Sequence, residues 1–273
     1  MLNLWNLLLF HPLLNILMGL DRIVGNLGWS IVIMTVGLRL AMTPLVIPSL
    51  KASKKLQDLT PEMNKLKEKF KGDKQGLMTA QAALYKEKGV NPAAGCLPQI
   101  VQIVVLIALF NAFNSVLLTT NGEIVKKLNP QLYEFNQLPA NFQLTTKFFY
   151  LDLSKPDVFK VPGLPIPLPG LFLLLSAVVQ LLSSKMMMPM VKKEEKLAKA
   201  TESSSDDVMA QTQQQMLYMF PLMTIIFGFQ FPSGLVIYWF VFSAVSMVQQ
   251  YYAAGWGGLA AWLRRAGVIK YPS

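Results

Sequence analysis

Chemistry-bearing side chains are scarce in this 273-residue chain. It contains one cysteine, Cys96, and one histidine, His11. A lone cysteine excludes an intrachain disulfide and any multi-cysteine metal site. A lone histidine, next to Pro12 near the N-terminus, excludes centres built from several imidazoles and reads as an interfacial polar residue. Charge is scarce too. Charged residues make up 15% of the chain, against about 25% for soluble domains. The shortage falls on acids, with 15 Asp and Glu against 25 Lys and Arg. No internal repeat is visible, which weakens a transporter built on inverted repeats.

What fills the chain is apolar sequence: 53% hydrophobic residues and a mean hydropathy of +0.40. The charges cluster between long apolar runs, the pattern of a polytopic membrane protein. The fold class expected is all-α, a five-helix transmembrane bundle. The spans fall at about 28–50, 93–118, 168–188, 215–231 and 234–252. The last two are short against the ~20 residues needed for a ~30 Å hydrocarbon core. Pro232-Ser233-Gly234 joins them tightly, and the pair suggests a locally thin bilayer. Residues 1–27 lack the basic start and small-residue cleavage site of a signal peptide. They read as an N-terminal interfacial helix anchored by Trp5, with an uncleaved extra span as the alternative.

Basic residues set the expected orientation. Eighteen lie in segments 51–91 and 185–214 and tail 253–273, whereas six lie in the other connections. The N-terminus is expected outside, and the C-terminus, with its short basic tail, in the cytoplasm. In 51–91, Leu56, Leu59, Met63, Leu66 and Phe70 recur at spacings of three and four, and Leu77 and Leu84 continue the pattern. This predicts a cytoplasmic helical hairpin with a coiled-coil seam, joined at Lys71–Gln75. Thr60 is expected to cap a helix with Pro61 in its first turn. The exposed lysines are either a solvated face or a surface for anionic lipid or ribosomal RNA. The outer segment 119–167 is expected to carry short amphipathic helices, and PGLPIPLPG (162–170) a stiff lead into the third span. Loop 189–214 reads as flexible.

One residue breaks the apolar logic. Arg39 is the only formal charge between Gly28 and Leu50. A charge at that depth costs from ~2.5 kcal/mol upward. The next cation, Lys51, is twelve residues on, or roughly 18 Å along a helix. Snorkelling over such a distance is not easy. No carboxylate lies in any of the five spans, so an anion facing Arg39 would have to come from outside them. A water-filled, positively charged cavity is the expectation.

Other polar residues share helical faces. Thr35, Arg39 and Thr43 are four apart. Gln99 and Gln102 lie on the second span, and Ser176, Gln180 and Ser183 or Ser184 on the third. The fifth offers Tyr238, Ser246 and Gln249 or Gln250, with Trp239 beside them. Read plainly, the small ones are packing groups worth ~0.6 kcal/mol per bond, or hydroxyls bonded back to their own helix.

Several motifs converge around Arg39: RLAMTPL (39–45), QDLTPEM (57–63), LYKEKGVNPAAGCLP (84–98), FPSGLVIYW (231–239) and VQQ (248–250). In this order they resemble the YidC/Oxa/Alb family of membrane protein insertases, over nearly the whole chain. The resemblance is to short bacterial forms without the large outer domain and additional first span, but this sequence lacks their usual lipidated cysteine. It implies five core helices around a hydrophilic groove open to the cytoplasm and to lipid. Arg39 matches the family's groove arginine, and Tyr238 and Trp239 fall where the last span lines the substrate path. The expected groove set is Arg39, Thr35, Thr43, Gln99, Gln102, Ser176, Gln180, Ser183, Tyr238, Trp239 and Ser246. The resemblance implies no catalytic residue, cofactor or metal. Nascent membrane proteins and lipid are the implied partners, with the ribosome and the Sec translocation channel as further candidates and DNA not among them. The implied location is the bacterial plasma membrane.

The alternative is a transporter or channel in which Arg39 binds a small anion. It requires a path polar at both ends, whereas Phe227, Phe229, Phe231, Leu235, Val236 and Ile237 predict a greasy seal at the outer end. An intramembrane protease is disfavoured, because Ser–His and aspartyl chemistry both lack their residues.

Overall fold

The structure is a computed structural model, and it describes residues 2–70, 72–91, 97–119, 122–163, 165–188 and 205–269. Helices dominate it. A first helical run comprises α1 (Leu2–Trp5), a π-helical turn (Asn6–Phe10) and α2 (His11–Val24). Pro12 follows the π-helical turn, inside this run, where it removes one backbone donor from the helical ladder. The helix stops at Gly25, whose φ of 71° suits glycine. The Asn26 side chain then accepts from Trp29 N at 3.2 Å, capping α3 (Leu27–Asp58). Both Pro44 and Pro48 lie inside α3.

Next come α4 (Thr60–Lys69), α5 (Lys74–Glu87), α6 (Leu97–Leu117) and α7 (Ile124–Leu128). Two antiparallel ladders follow, β1 (Lys147–Phe148) with β2 (Leu151–Asp152), and β3 (Val158–Phe159) with β4 (Leu168–Pro169). The chain continues as α8 (Leu171–Met187), α9 (Ser205–Gly228), α10 (Ser233–Ala254) and α11 (Ala260–Arg265). This is an all-α membrane protein with a minor β element. Among the described residues, Asn6–Val24, Leu27–Leu56 and Ser233–Ala254 are each long and apolar enough to cross a membrane. Shorter apolar helices cover Val101–Leu117, Leu171–Met187 and Leu217–Gly228.

Several sequence expectations shift. The first span does not end at 50 but continues helically to Asp58, because nothing after Pro48 breaks it until Leu59. The fifth, at 22 residues, is long enough rather than short. Leu59, not Thr60, occupies the cap position of α4, and it makes no side-chain capping bond. Segment 122–163 is more than short helices. After α7 and two short 3₁₀ turns it turns extended, and tertiary partners decide its ladders rather than periodicity. Loop 189–214 lies outside the described residues as far as 204. From Ser205 its backbone is helical.

The chain divides into two compact units. The first contains residues 1–42, 100–179 and 222–245. Its core joins Leu14, Leu17 and Met18 of α2, Leu27 and Ile31 of α3, Leu109 and Phe113 of α6, and Leu235 and Ile237 of α10. Gly28 lets the Phe148 ring lie directly on the α3 backbone, in space that a Cβ would need.

The second unit contains residues 43–99, 180–221 and 246–273. In it α4 and α5 pack against each other. Leu59, Leu77 and Leu84 are buried, Asp73 caps α5 through Gly76 N at 2.9 Å, and Lys88 pairs with Glu62 at 3.0 Å. The tail is tied down. Gly258 N donates to the Met188 carbonyl at 2.8 Å, and Lys185 Nζ lies 5.2 Å from the Trp262 ring centre.

Candidate functional site

Within the first unit, Arg39 is buried at 7% exposure in the middle of α3. The helical period sets its neighbours: Thr35 one turn before it, and Gln102 of α6 and Tyr238 and Phe242 of α10 across a small cavity. That cavity is about 10 Å³ and is completed by Leu38, Met42, Val105 and Leu109. It is of the size that holds about one water. The guanidinium carbon lies 4.2 Å from the Phe242 ring centre, a cation–π contact that a desolvated arginine strengthens. Gln102 Nε2 donates to the Tyr238 hydroxyl at 2.8 Å. Tyr238 is 2% exposed, with its ring edge-on to Phe113 at 6.1 Å.

Four of the expected residues, Thr35, Arg39, Gln102 and Tyr238, thus line one cavity. The Thr35 hydroxyl donates to the Ile31 carbonyl at 2.6 Å, the back-bonded packing role. Ser176 donates to the Val236 carbonyl at 3.1 Å and ties α8 to α10. Trp239 is half-buried, 6.3 Å from the Phe231 ring. Neither Ser176 nor Trp239 lines the cavity. Of the residues expected to form a seal, Phe227 stacks on Phe231 at 5.5 Å, Phe110 joins at 5.3 Å, and Leu235, Val236 and Ile237 are buried.

In the second unit, Gln249 Nε2 donates to the Thr43 hydroxyl at 2.7 Å, joining α3 to α10. Ser183 is buried, and Gln180 and Ser246 are half-buried. The Gln99 side chain lies outside the described residues. Among the described residues no cluster of His, Cys, Asp and Glu is suited to a metal.

Sequence reading missed Phe242. Its position one turn after Tyr238 was the available signal, hidden because phenylalanine in a span reads as packing. It also missed the polar framework of the first unit. Asn15 Nδ2 donates to the His11 and Gln131 carbonyls at 2.8 and 3.3 Å, while its Oδ1 accepts from Tyr133 N at 2.8 Å. Asn136 Nδ2 donates to the Asn15 carbonyl at 2.8 Å. The buried Asp157 carboxylate accepts from Leu173 N at 2.9 Å and from the Tyr150 hydroxyl at 3.0 Å, holding the N-terminus of α8 as favoured by the helix dipole.

Comparison with known proteins places this arrangement in context. The model of the family described as 60Kd inner membrane protein matches residues 19–256. A "Membrane protein insertase YidC" of Fusobacterium nucleatum is 31% identical over 232 residues, covering 85% of this chain and 88% of that relative. The same name is carried by a Pelobacter propionicus relative, 32% identical over 250 residues, and a Streptomyces avermitilis relative, 28% identical over 252. The chain spans only 39% and 55% of those two longer proteins.

Proposed function

The chain belongs to the 60Kd inner membrane protein family, with the YidC insertases among its relatives, and from this membership we propose that it inserts nascent membrane proteins into a bacterial membrane. Its family and its apolar helices place it in that membrane. One observation carries the mechanism: a buried arginine in mid-helix, beside a small cavity on three helices that Thr35, Gln102 and Tyr238 line together with apolar residues. In the proposed reaction a short hydrophilic segment of the client enters from the cytoplasm. Arg39 attracts its acidic side chains where low dielectric lengthens the reach of a charge. Thr35, Gln102 and the Tyr238 hydroxyl replace part of the hydration that the segment loses. The cavity holds about one water, so admitting a chain requires its walls to part. The adjacent apolar segment then passes into lipid, driven by hydrophobic transfer. Where acids cross outward, the membrane potential adds about 2.3 kcal/mol per charge for each ~100 mV.

Thr43, Gln99, Gln180, Ser183 and Ser246 are proposed to meet the same client, and Ser176 and Trp239 to frame its path. The N-terminus is proposed to lie outside and the hairpin α4–α5 in the cytoplasm, where it recruits the client. Ribosome, Sec channel and lipid contacts belong to the same proposal. No step needs a nucleophile or base. The aromatic group at Phe227 and Phe231 supports a path closed at that end, which disfavours the anion channel.

The test is Arg39→Ala against Arg39→Lys, assayed by insertion of clients with and without acids in the translocated segment. The expected result is that Ala fails for acidic clients, Lys restores them, and neutral clients insert with both. Equal insertion in every combination would remove the electrostatic role. Normal insertion of small one- and two-span clients after depletion of the protein would overturn the insertase reading.

A further inference from the structure

The segment 147–172 carries an aromatic surface that the insertase reading does not use. Phe148 points inward and is buried, whereas Phe149 is 72% exposed. Tyr150, Phe159, Ile166 and Leu168 are also exposed, as is Trp29 at the start of α3. The aromatic rings form one continuous group. Trp29 lies 6.3 Å from the Phe149 ring, Phe149 6.1 Å from Phe172, and Phe172 5.9 Å from Tyr150. Tyr150 stacks on Phe159 at 6.0 Å.

The turn chemistry argues that this exposure is selected. Phe148 pairs with Leu151, so Phe149 and Tyr150 are the central residues of a two-residue hairpin turn. Such turns favour Asn, Asp or Gly, which accept a positive φ at little cost. Here Phe149 takes φ 50°, the one such non-glycine among the described residues. A bulky residue held there is strained by about 1–2 kcal/mol, with its ring turned outward rather than into a core.

The surroundings point to lipid. The group is continuous with α3 and α8, which begin at Leu27 and Leu171, in a chain whose place is a membrane. Trp and Tyr at helix ends are the residues of the membrane–water boundary. The exposed charges among the aromatics are Lys147 and Lys160, beside the Lys155–Asp152 pair at 3.2 Å, whereas Asp157 is buried. Exposed cations beside apolar rings suit lipid phosphates above acyl chains.

We propose that the β1–β2 and β3–β4 ladders are an interfacial anchor, inserting Phe149 and its aromatic neighbours into the headgroup boundary of the leaflet at the start of α3 and α8. This rests on the membrane location alone, so it stands or falls separately from the Arg39 experiment.

The test uses the full chain with Cys96→Ser, in vesicles of phosphatidylcholine and phosphatidylglycerol. A nitroxide is placed at Phe149→Cys or, as a control, at the exposed Asn141→Cys. Collisions with oxygen and with an aqueous nickel chelate are then compared. The expected oxygen-to-nickel ratio at 149 is severalfold that at 141. Equal ratios, or protection from both relaxers (the mark of a protein neighbour), would overturn the proposal. A second variant separates anchoring from folding. Phe149→Asn suits the turn, so the thermal midpoint should not fall, while nickel access at a Phe159→Cys label should rise severalfold. Unchanged access, or increased access accompanied by a lower midpoint, would count against the anchor.

Discussion

The two connections either side of α6 hold themselves together by opposite means. Helices α4 and α5 rest on a thin periodic seam of Leu59, Leu77 and Leu84, one cap at Asp73 and one exposed ion pair. Segment 124–170 contains little regular structure, yet it buries Ile124, Leu128, Leu132, Leu138, Leu144, Phe148, Leu151 and Leu153. Its polar groups bond across long stretches of sequence, as Asn136 does to Asn15 and Asn26 to the Lys147 carbonyl. One connection is locally specified, and the other is specified by what it touches. The first should therefore open piecemeal and the second as a unit with α2 and α3.

Asn15→Ala should break this contrast hardest. It removes bonds to the His11 and Gln131 carbonyls and leaves Tyr133 N without its acceptor. The expected loss is about 2–4 kcal/mol, at 1–3 kcal/mol per group left unsatisfied. Unfolding in detergent micelles measures it, and hydrogen exchange should quicken across α2 and 124–150 together. A change confined to α2 would deny the coupling. Leu84→Ala comes next, at about 2 kcal/mol for a large-to-small change in a shallow core. Its expected mark is faster exchange in Thr60–Glu87 with segment 124–170 unchanged.

The smallest effect is in pH, where the two regions should respond in opposite directions. Burial pushes the Asp152 carboxyl up, but bonds from Ser154 and Thr146 and the Lys155 ammonium outweigh it and take the pKa down to about 2. A depressed carboxyl contributes stability above its unfolded value of ~3.9, and that contribution fades as pH falls toward 2. Lys88 is raised by its hydrogen bond and charge pairing with Glu62. Its contribution is full below the ordinary lysine value and is lost as pH rises through the raised one. Exchange near the β1–β2 turn should therefore quicken in acid, and exchange near Lys88 in alkali. Each step should vanish in Asp152→Asn and Glu62→Gln respectively.

The same contrast explains what was legible in the sequence. The hairpin followed from leucine spacing because its partners are seven to thirty residues away on a regular helix. The β ladders did not. Phe149 and Tyr150 violate turn preferences, and the contacts that hold Phe148 lie on Gly28, over a hundred residues earlier. Arg39 was legible as an anomaly because charge is rare in a span. Its contact with Phe242 was not, since one more phenylalanine on α10 carries no mark. The cavity beside Arg39 is small, because Leu38, Met42, Val105 and Leu109 share its lining with the polar residues.

The two prolines of α3 carry one more consequence. Without their N–H groups, Pro44 and Pro48 leave the carbonyls of Leu40 and Pro44 without their regular intrahelical donors. Both prolines lie on one face, a turn apart. Mechanically, α3 is a stiff rod up to Arg39 and a compliant one just beyond it. Thermal bending should concentrate in the turn that follows the buried charge, so the helix can flex toward the Lys51 end while the guanidinium keeps its seat on Phe242.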